Sequence, residues 1–368
     1  QLREIKGGNG VWASCVRLMD VSSNPSSPTT LDVIQMTENE AALCMCTCVF
    51  HDRDGEVMLV VGTAKDLVLK PYNATCGFIH VYKVSDNQLQ LLHKTPMEMP
   101  PTALCAFQGR LLVGMGSTLR IYDLGKKKLL RKCESRNFGN CITQIWTQGD
   151  RLYVSDVQES VSFAKYKKSE NQLYIFADET TPRWLTSTCV LDYDTVSGVD
   201  KFGNVFVSRL PGQVSDEVEE DPTGTKLKIE QGFLNGATHK LDDVIQFHIG
   251  DTCNVLLKNS LVPGGTEALL YGGMMGTIGA LLPFLSREDI DFFTHLEMYM
   301  RQENPPLCGR DHLSYRSYYF PVKNVIDGDL CEQYYSIPAD KQRSIANELE
   351  RTPLEVMKKL EDMRNRLL

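Results

Sequence analysis

One unit of sequence recurs through most of the first two hundred residues, and it constrains the fold more than any other feature. The unit is a strand, a tight polar turn, an apolar strand ending in a small residue, a second turn and an aromatic-rich strand. Ala106-Phe-Gln-Gly-Arg-Leu-Leu-Val-Gly, then Leu119-Arg-Ile-Tyr-Asp-Leu, is one copy. Trp146-Thr-Gln-Gly-Asp-Arg-Leu-Tyr-Val-Ser-Asp, then Val161-Ser-Phe-Ala-Lys-Tyr, is the next. An earlier copy starts at Cys48 and a later one at Val190. Arg110 and Arg151 are 41 positions apart, and Asp156 and Asp200 are 44 apart. A period of about 40–45 residues is that of a four-stranded propeller blade. The small residues Gly62, Gly114 and Ser155 fall where strands would converge on a central channel and bulk would clash. The Trp-Asp dipeptide of the best-known propellers is missing from every copy.

Acidic residues outnumber basic ones, 47 to 39, for a net charge of −8. Proteins that grip nucleic acid neutralise phosphates and are basic at least locally. Bulk charge therefore speaks against this chain as the main grip on nucleic acid. Twelve cysteines occur without one Cys-x-x-Cys pair, so zinc-ribbon spacing is absent. Cys44, Cys46 and Cys48 alternate, which places them on one face of a strand as small apolar residues. Reduced thiols fit the cytosol or nucleus. No segment approaches the roughly 20 apolar residues that span a bilayer. The opening Gln1-Leu-Arg-Glu-Ile reads as the middle of a longer protein.

Past Pro283 the apolar period becomes helical. Ser286-Arg-Glu-Asp caps a helix with a stripe of Ile290, Phe293, Leu296 and Met300, ended by Pro305-Pro306. Residues 338–350 read as another helix. Thr352-Pro-Leu-Glu is a capping box with proline at the first helical position. It opens a helix with Leu354, Met357, Leu360 and Met363 at helical spacing. Two turns are basic, Gly125-Lys-Lys-Lys and Lys165-Tyr-Lys-Lys. They read as solvated charge that discourages edge pairing, with an RNA contact as the other reading. The acidic insert at 214–224 reads as a mobile loop or as a docking site for a basic partner.

No catalytic, cofactor or metal site is expected. Gly272-Gly-Met-Met-Gly-Thr-Ile-Gly lacks the lysine and context of a phosphate loop and reads as a tight strand crossing. No Gly-x-Ser-x-Gly elbow or His-Glu-x-x-His pair occurs. His312 beside Asp311 shows no plausible nucleophile for acid–base work, so it reads as packing or capping. Asp52-Arg-Asp-Gly lacks the downstream glutamate of a calcium loop and reads as a hairpin turn. Asp327-Gly-Asp reads as an N-cap with a turn.

Several stretches carry a likeness. Gly276, Ile278 and Gly279 form Gly-x-Ile-Gly, Arg316-Ser317 precedes an aromatic, and Ile326-Asp327-Gly328-Asp329-Leu is followed by Glu332. The runs 305–314, 318–325 and 351–362 extend it. In these the chain resembles the C-terminal region of the large triple-β-propeller scaffold family. That family includes the large subunits of the UV-damaged-DNA-binding complex and of the cleavage and polyadenylation factor. The likeness is strongest to its splicing branch, in splicing factor 3b.

The resemblance implies a mainly β chain. A partial seven-bladed β-propeller would cover residues 1–283, its remainder supplied by the N-terminal part of the parent protein. A small α-helical C-terminal domain would cover 284–368. The resemblance also implies a nuclear, non-enzymatic scaffold with no cofactor, in a hetero-oligomer. Its partners would be the HEAT-repeat large subunit, the small zinc-containing subunit and the very small helical subunit of splicing factor 3b. It would support branch-site recognition by the U2 small nuclear ribonucleoprotein, with RNA contacted mostly through those partners. The family's other implied role is an adaptor in a DNA-damage-recognition and ubiquitin-ligase complex. By analogy, partner contacts are expected at Arg183, Trp184, Tyr193 and Lys201, at Asn254 and Tyr271, and at Tyr315, Arg316 and Lys323. Arginine and tryptophan are enriched at binding hot spots.

Overall fold

A computed structural model describes residues 10–51, 53, 55–220, 236–304 and 309–367. Residues 1–5, Asp52, Asp54, residues 305–308 and residues 221–224 of the acidic insert, all read from sequence above, lie outside the described residues. The described residues gather into two compact units, one from residues up to 185 with 212–241, the other from 186–211 with 242 onward.

In the first unit, β1 (Cys15–Asp20) pairs with β2 (Thr29–Gln35). Three runs of four antiparallel strands follow, the third continuing through a parallel pairing of Ala177–Glu179 with residues 239–241. The first runs β3 (Glu40–Val49), β4 (Val57–Lys65) and, past the small hairpin of β5 (Val68–Leu69) and β6 (Tyr72–Asn73), β7 (Cys76–Ser85) and β8 (Gln88–Met97). The second is β9 (Ala103–Phe107), β10 (Arg110–Met115), β11 (Thr118–Leu124) and β12 (Leu129–Ser135). The third is β13 (Ile142–Gln148), β14 (Arg151–Asp156), β15 (Ser160–Lys167) and β16 (Gln172–Glu179). Turn chemistry dictates this order. Asp86 and Asn87 have φ of 51° and 59°, and Gln108 and Gly109 have 47° and 69°. Two residues with positive φ make the type I′ turn, whose twist matches antiparallel strands. The repeat read from sequence is a blade repeat, and Arg110 and Arg151 both open second strands.

Adjacent meanders share their cores. Met58, Val60 and Ile79 cluster with Leu111 and Val113, while Leu112 and Ile121 cluster with Ile142, Leu152 and Val154. The next meander explains why Gly62 and Gly114 are small. A Cβ on Gly62 would lie 2.8 Å from Pro101 Cγ, and one on Gly114 would lie 2.7 Å from Ile142 Cγ2. Cys44, Cys46 and Cys48 share the inward face of β3, as alternation requires. Burial pushes the Cys44 and Cys48 thiols up to about 12.

A threonine repeats at the start of the second meander, the third meander and β17. Thr102 Oγ1 donates to the Ile142 carbonyl at 2.6 Å, and Gly114 O lies 3.2 Å from it. Thr143 Oγ1 donates to Ser155 O at 3.2 Å. In the second unit, Thr186 Oγ1 reaches Val199 O at 3.2 Å and also the Cys253 carbonyl. These threonines stand 41 and 43 positions apart, matching the blade period.

The first meander also contains a buried polar line with one residue from each strand. Glu40 accepts from Thr63 Oγ1 at 2.6 Å, faces His80 Nε2 at 2.8 Å and pairs with Lys94. Burial alone would raise the Glu40 pKa, but the hydrogen bonds from Lys94, Thr63 and His80 outweigh it and hold it below the ordinary value. Burial pushes the His80 imidazole below its ordinary value, against the pull of Glu40.

The described part of the acidic insert corrects the loop expectation. Residues Gly212–Glu220 form helix α1, which buries Ser215 and Val218. Arg151 is fully buried, and it donates to Ser215 Oγ at 3.2 Å and to Glu219 Oε1 at 3.0 Å. Glu219 also pairs with Lys165. The internal cations thus hold this acidic stretch in place.

The second unit contains β17 (Leu185–Asp192) from Thr186 on, β18 (Thr195–Asp200), β19 (Asn204–Arg209) and the part of β20 (His239–His248) from Asp242 on. A three-stranded sheet follows, β21 (Cys253–Asn259), β22 (Ala268–Gly273) and β23 (Ile278–Leu281). Val199, Val205, Phe247, Cys253 and Leu256 form their core. Helices then take over: α2 (Arg287–Glu303), α3 (His312–Arg316), α4 (Gly328–Glu332), α5 (Ala339–Glu348) and α6 (Pro353–Asn365). Ser286 caps α2 by accepting from Asp289 N at 3.1 Å, and Thr352 closes the full capping box on α6.

Two details of the helical stripes differ from expectation. Ile290 faces outward, while Phe293, Leu296 and Met300 are buried. On α6 the buried residues are Val356 and Leu360, and Leu354 is 78% exposed. Leu354, Met357, Leu360 and Met363 are spaced by three, and at 3.6 residues per turn each step of three drifts by about 60°. Leu354 ends on the face opposite Met363.

Candidate interaction surface

Two short motifs singled out in the sequence meet in the second unit. Asp327 is buried and caps α4, accepting from Asp329 N at 3.0 Å and Leu330 N at 3.3 Å. Its own N–H donates to Glu297 Oε1 at 3.0 Å. Arg316 Nε donates to Asp327 Oδ2 at 2.6 Å. His312 Nε2 lies 2.8 Å from the same oxygen, off the line of a hydrogen bond. Arg316 Nη1 also donates to the carbonyls of His248 (3.4 Å) and Ile249 (3.2 Å), and the guanidinium covers the Phe247 ring at 4.9 Å. Burial works against the charge on Arg316, but Asp327 outweighs it and holds the pKa above the usual value. One guanidinium therefore ties α3 both to the cap of α4 and to the end of β20.

Around this pin four loops converge. Asp200 is fully buried and accepts from Phe202 N (2.9 Å), Asn204 N (3.1 Å) and the Tyr319 hydroxyl. Tyr318 stacks on His248 at 5.2 Å and on Phe202 at 5.9 Å. Thr252 Oγ1 donates to Lys201 O at 3.1 Å, Met274 N to Thr252 O at 2.9 Å and Met275 N to Asp251 Oδ2 at 3.2 Å. Gly250 has φ of 93°, and a Cβ there would lie 3.2 Å from the Tyr315 hydroxyl. The outcome is a set of apolar side chains with polar backs, all turned outward. Phe202, Tyr315, Tyr318, Tyr319 and Met274 are exposed, Met275 is 87% exposed and Ile278 is 89% exposed. Clustered apolar exposure of this kind marks interaction sites, and methionine adapts to varied partners.

The expected contact residues divide. Lys201, Tyr315 and Arg316 belong to this corner, with Gly276, Ile278, Asp327, Gly328 and the exposed Asp329. Arg316 is largely enclosed there and works as the pin. Tyr271 is half-buried and lies against Gly279, where a Cβ would fall 2.2 Å from the ring. Burial raises its hydroxyl pKa. Gly276, at φ 91°, makes the turn between β22 and β23, so the glycine-rich run is a hairpin and not a strand crossing. Tyr193 stands at the opposite end of β18 from Lys201, roughly 20 Å along a six-residue strand. Asn254 is exposed on β21. Lys323 pairs its backbone with Gln246 at 2.9 and 3.2 Å and donates Nζ to Asp243 O at 2.6 Å.

Arg183 and Trp184 lie in the first unit. Arg183, expected at a surface, is instead fully buried against Glu179 at 2.6 Å, while Trp184 is partly exposed. A guanidinium so enclosed needs its carboxylate, and the buried Glu179 at the end of β16 supplies it. Phe202 and His248 were missed, and Met274 and Met275 were not singled out as contacts. Glycines flanking them, Gly203, Gly250 and Gly276, all with positive φ, were the available signal. Among the described residues no group of three or more His, Cys, Asp or Glu is placed to hold a metal ion.

Residues 13–336 match the family model described as the CPSF A subunit region, and the chain belongs to that family. Within it, the resemblance to the splicing branch holds. Spliceosome-associated protein 130 A of Arabidopsis thaliana is 57% identical over 97% of this chain and 29% of its own length. Splicing factor 3B subunit 3 of Danio rerio is 55% identical over 98% of this chain and 30% of its own. Pre-mRNA-splicing factor RSE1 of Mycosarcoma maydis is 49% identical over 98% of this chain and 29% of its own. The chain thus spans about three tenths of the length of these curated relatives.

Proposed function

We propose that this chain serves pre-mRNA splicing as part of a scaffold subunit of splicing factor 3b in the nucleus. It works through protein–protein contacts and carries no catalysis. The observation that supports this most is the 55% identity over 98% of the chain to a protein named splicing factor 3B subunit 3. The partners are the HEAT-repeat, small zinc-containing and very small helical subunits, and the complex supports branch-site recognition by the U2 particle. Residues 1–283 form most of a propeller completed by another part of the parent, and 284–368 a helical domain.

The corner around Arg316 is the contact surface best suited to this role. Its aromatic rings are anchored by buried polar partners, which limits the entropy lost on binding, and its methionines are free to repack. The remaining expected positions, Trp184, Tyr193, Asn254 and Lys323, make secondary contacts. Arg183 supports Trp184 from behind. The test is affinity purification of the tagged full-length protein from nuclear extract after a high-salt wash. Recovery of the HEAT-repeat subunit with U2 RNA supports the reading. Recovery of cullin-type ligase components in their place would transfer the chain to the adaptor role.

A further inference from the structure

Of the two basic stretches, Gly125-Lys-Lys-Lys is a turn as expected, whereas Lys165 and Lys167 lie on β15, with Lys165 buried, and only Lys168 reaches a turn. The structure places the two hairpins side by side. Gly125-Lys-Lys-Lys joins β11 to β12, and Lys168-Ser-Glu-Asn joins β15 to β16. A polar brace locks the two hairpins together. Asn171 Nδ2 donates to the Lys132 carbonyl at 2.7 Å, and the Tyr166 hydroxyl donates to Asn171 Oδ1 at 2.8 Å. Arg110 Nη1 reaches that hydroxyl at 3.3 Å, and its Nε donates to Asp123 at 2.8 Å.

The carboxylates at this end are already engaged. Asp123 is paired with Arg110 and with Lys132 at 3.1 Å, and Glu170 with Lys167 at 2.7 Å. Lys126, Lys127, Lys128 and Lys168 are exposed, and no carboxylate among the described residues lies within ion-pair distance of them. A chain with a net charge of −8 therefore presents four unpaired ammonium groups on one braced edge. Leu130 is the sole large apolar side chain exposed among residues 124–132 and 165–172, and no exposed aromatic stands there.

We propose that this twin hairpin is a sequence-independent contact for the phosphates of single-stranded RNA. The inference stands apart from the proposed scaffold role. Ammonium groups on flexible stems, each with three donors, suit phosphate oxygens as point charges. Without an aromatic platform the site cannot stack bases, so it positions a strand and does not read it. A protein partner would need buried aromatic or apolar anchors, which this edge does not offer.

The experiment measures binding of a fluorescein-labelled uridine 20-mer to the full-length protein by anisotropy between 50 and 200 mM salt. It compares the wild type with K126E/K127E/K128E/K168E and with the neutral quadruple glutamine variant. All four side chains are exposed, so both variants should melt with the parent. The expected result is an affinity loss of about tenfold or more at low salt for the charge reversal and a smaller loss for the glutamine variant. The slope of log K against log salt should fall by roughly 3 if each lysine neutralises one phosphate of a single strand. Unchanged affinity and slope in both variants would overturn the proposal. So would displacement of the RNA by polyglutamate at equal charge concentration, which would assign the edge to acidic protein segments.

Discussion

Two buried carboxylates, one in each unit, do opposite work. Glu40 lies inside the first meander and draws in Thr63, His80 and Lys94, one residue from every strand. The side chains that bind its carboxylate all belong to a single blade. Asp327 also gathers side chains, Arg316 and His312, but those belong to α3, and Arg316 in turn donates to the carbonyls at the end of β20. The side chains fixed by that tie, Tyr315, Tyr318 and Tyr319, turn their faces to solvent. A buried acid whose partners all sit in one sheet holds that sheet together. A buried acid joining separate segments presents a surface.

This contrast can be broken in several ways, the largest effect first. Asp327→Ala removes a helix cap and strands a half-buried guanidinium. It should cost about 3–5 kcal/mol and abolish partner capture, measured by denaturant unfolding and pull-down. Glu40→Gln keeps the shape but loses the charge opposite Lys94. It should cost about 2–3 kcal/mol with capture retained on the folded fraction. If capture were lost at equal folded fraction, the separation of roles would fail.

Acid should expose the first network. The His80 pKa is lowered in the fold, so the unfolded chain takes up that proton first. Stability is then full above about pH 6.5 and is lost as the pH falls below it. Glu40, also lowered, adds a second loss that begins below about pH 4.3. His80→Asn should flatten the first decline in a melting-temperature profile, and an unchanged profile would remove His80 from the account. Thr102→Val leaves the Ile142 carbonyl short of a donor and should cost about 1 kcal/mol. Thr143→Val should cost no more. Smallest in stability, within about 0.5 kcal/mol, are Met275→Ser and Ile278→Ser, whose effect should appear in binding alone.

The blade repeat was legible because each blade solves the same packing problem at the same spacing. Gly62, Gly114 and the apolar second strands follow from it directly. Helix starts were legible because Ser286 and Thr352 are local caps. The burial of Arg183 was hidden, since its partner Glu179 precedes it in a stretch with no charge pattern to mark it. Helix α1 was hidden because its acidic composition suits solvent, and its pairing with buried Arg151 and Lys165 comes from distant strands. The meeting of Arg316 with Asp327 was visible as two motifs, but not as one site. The exposed Phe202, Met274 and Met275 became visible only once the loops had converged.

The central claim is that the corner around Arg316 binds protein partners while the Glu40 network serves the fold. The most direct test is co-purification of the HEAT-repeat subunit of splicing factor 3b with the full-length protein carrying Tyr318→Ala, Met275→Ser and Ile278→Ser together. Capture should fall at least tenfold while the melting temperature stays within a degree or two of the parent, as expected for exposed side chains. Undiminished capture by a stably folded triple variant would contradict the claim and place the contact elsewhere on the molecule.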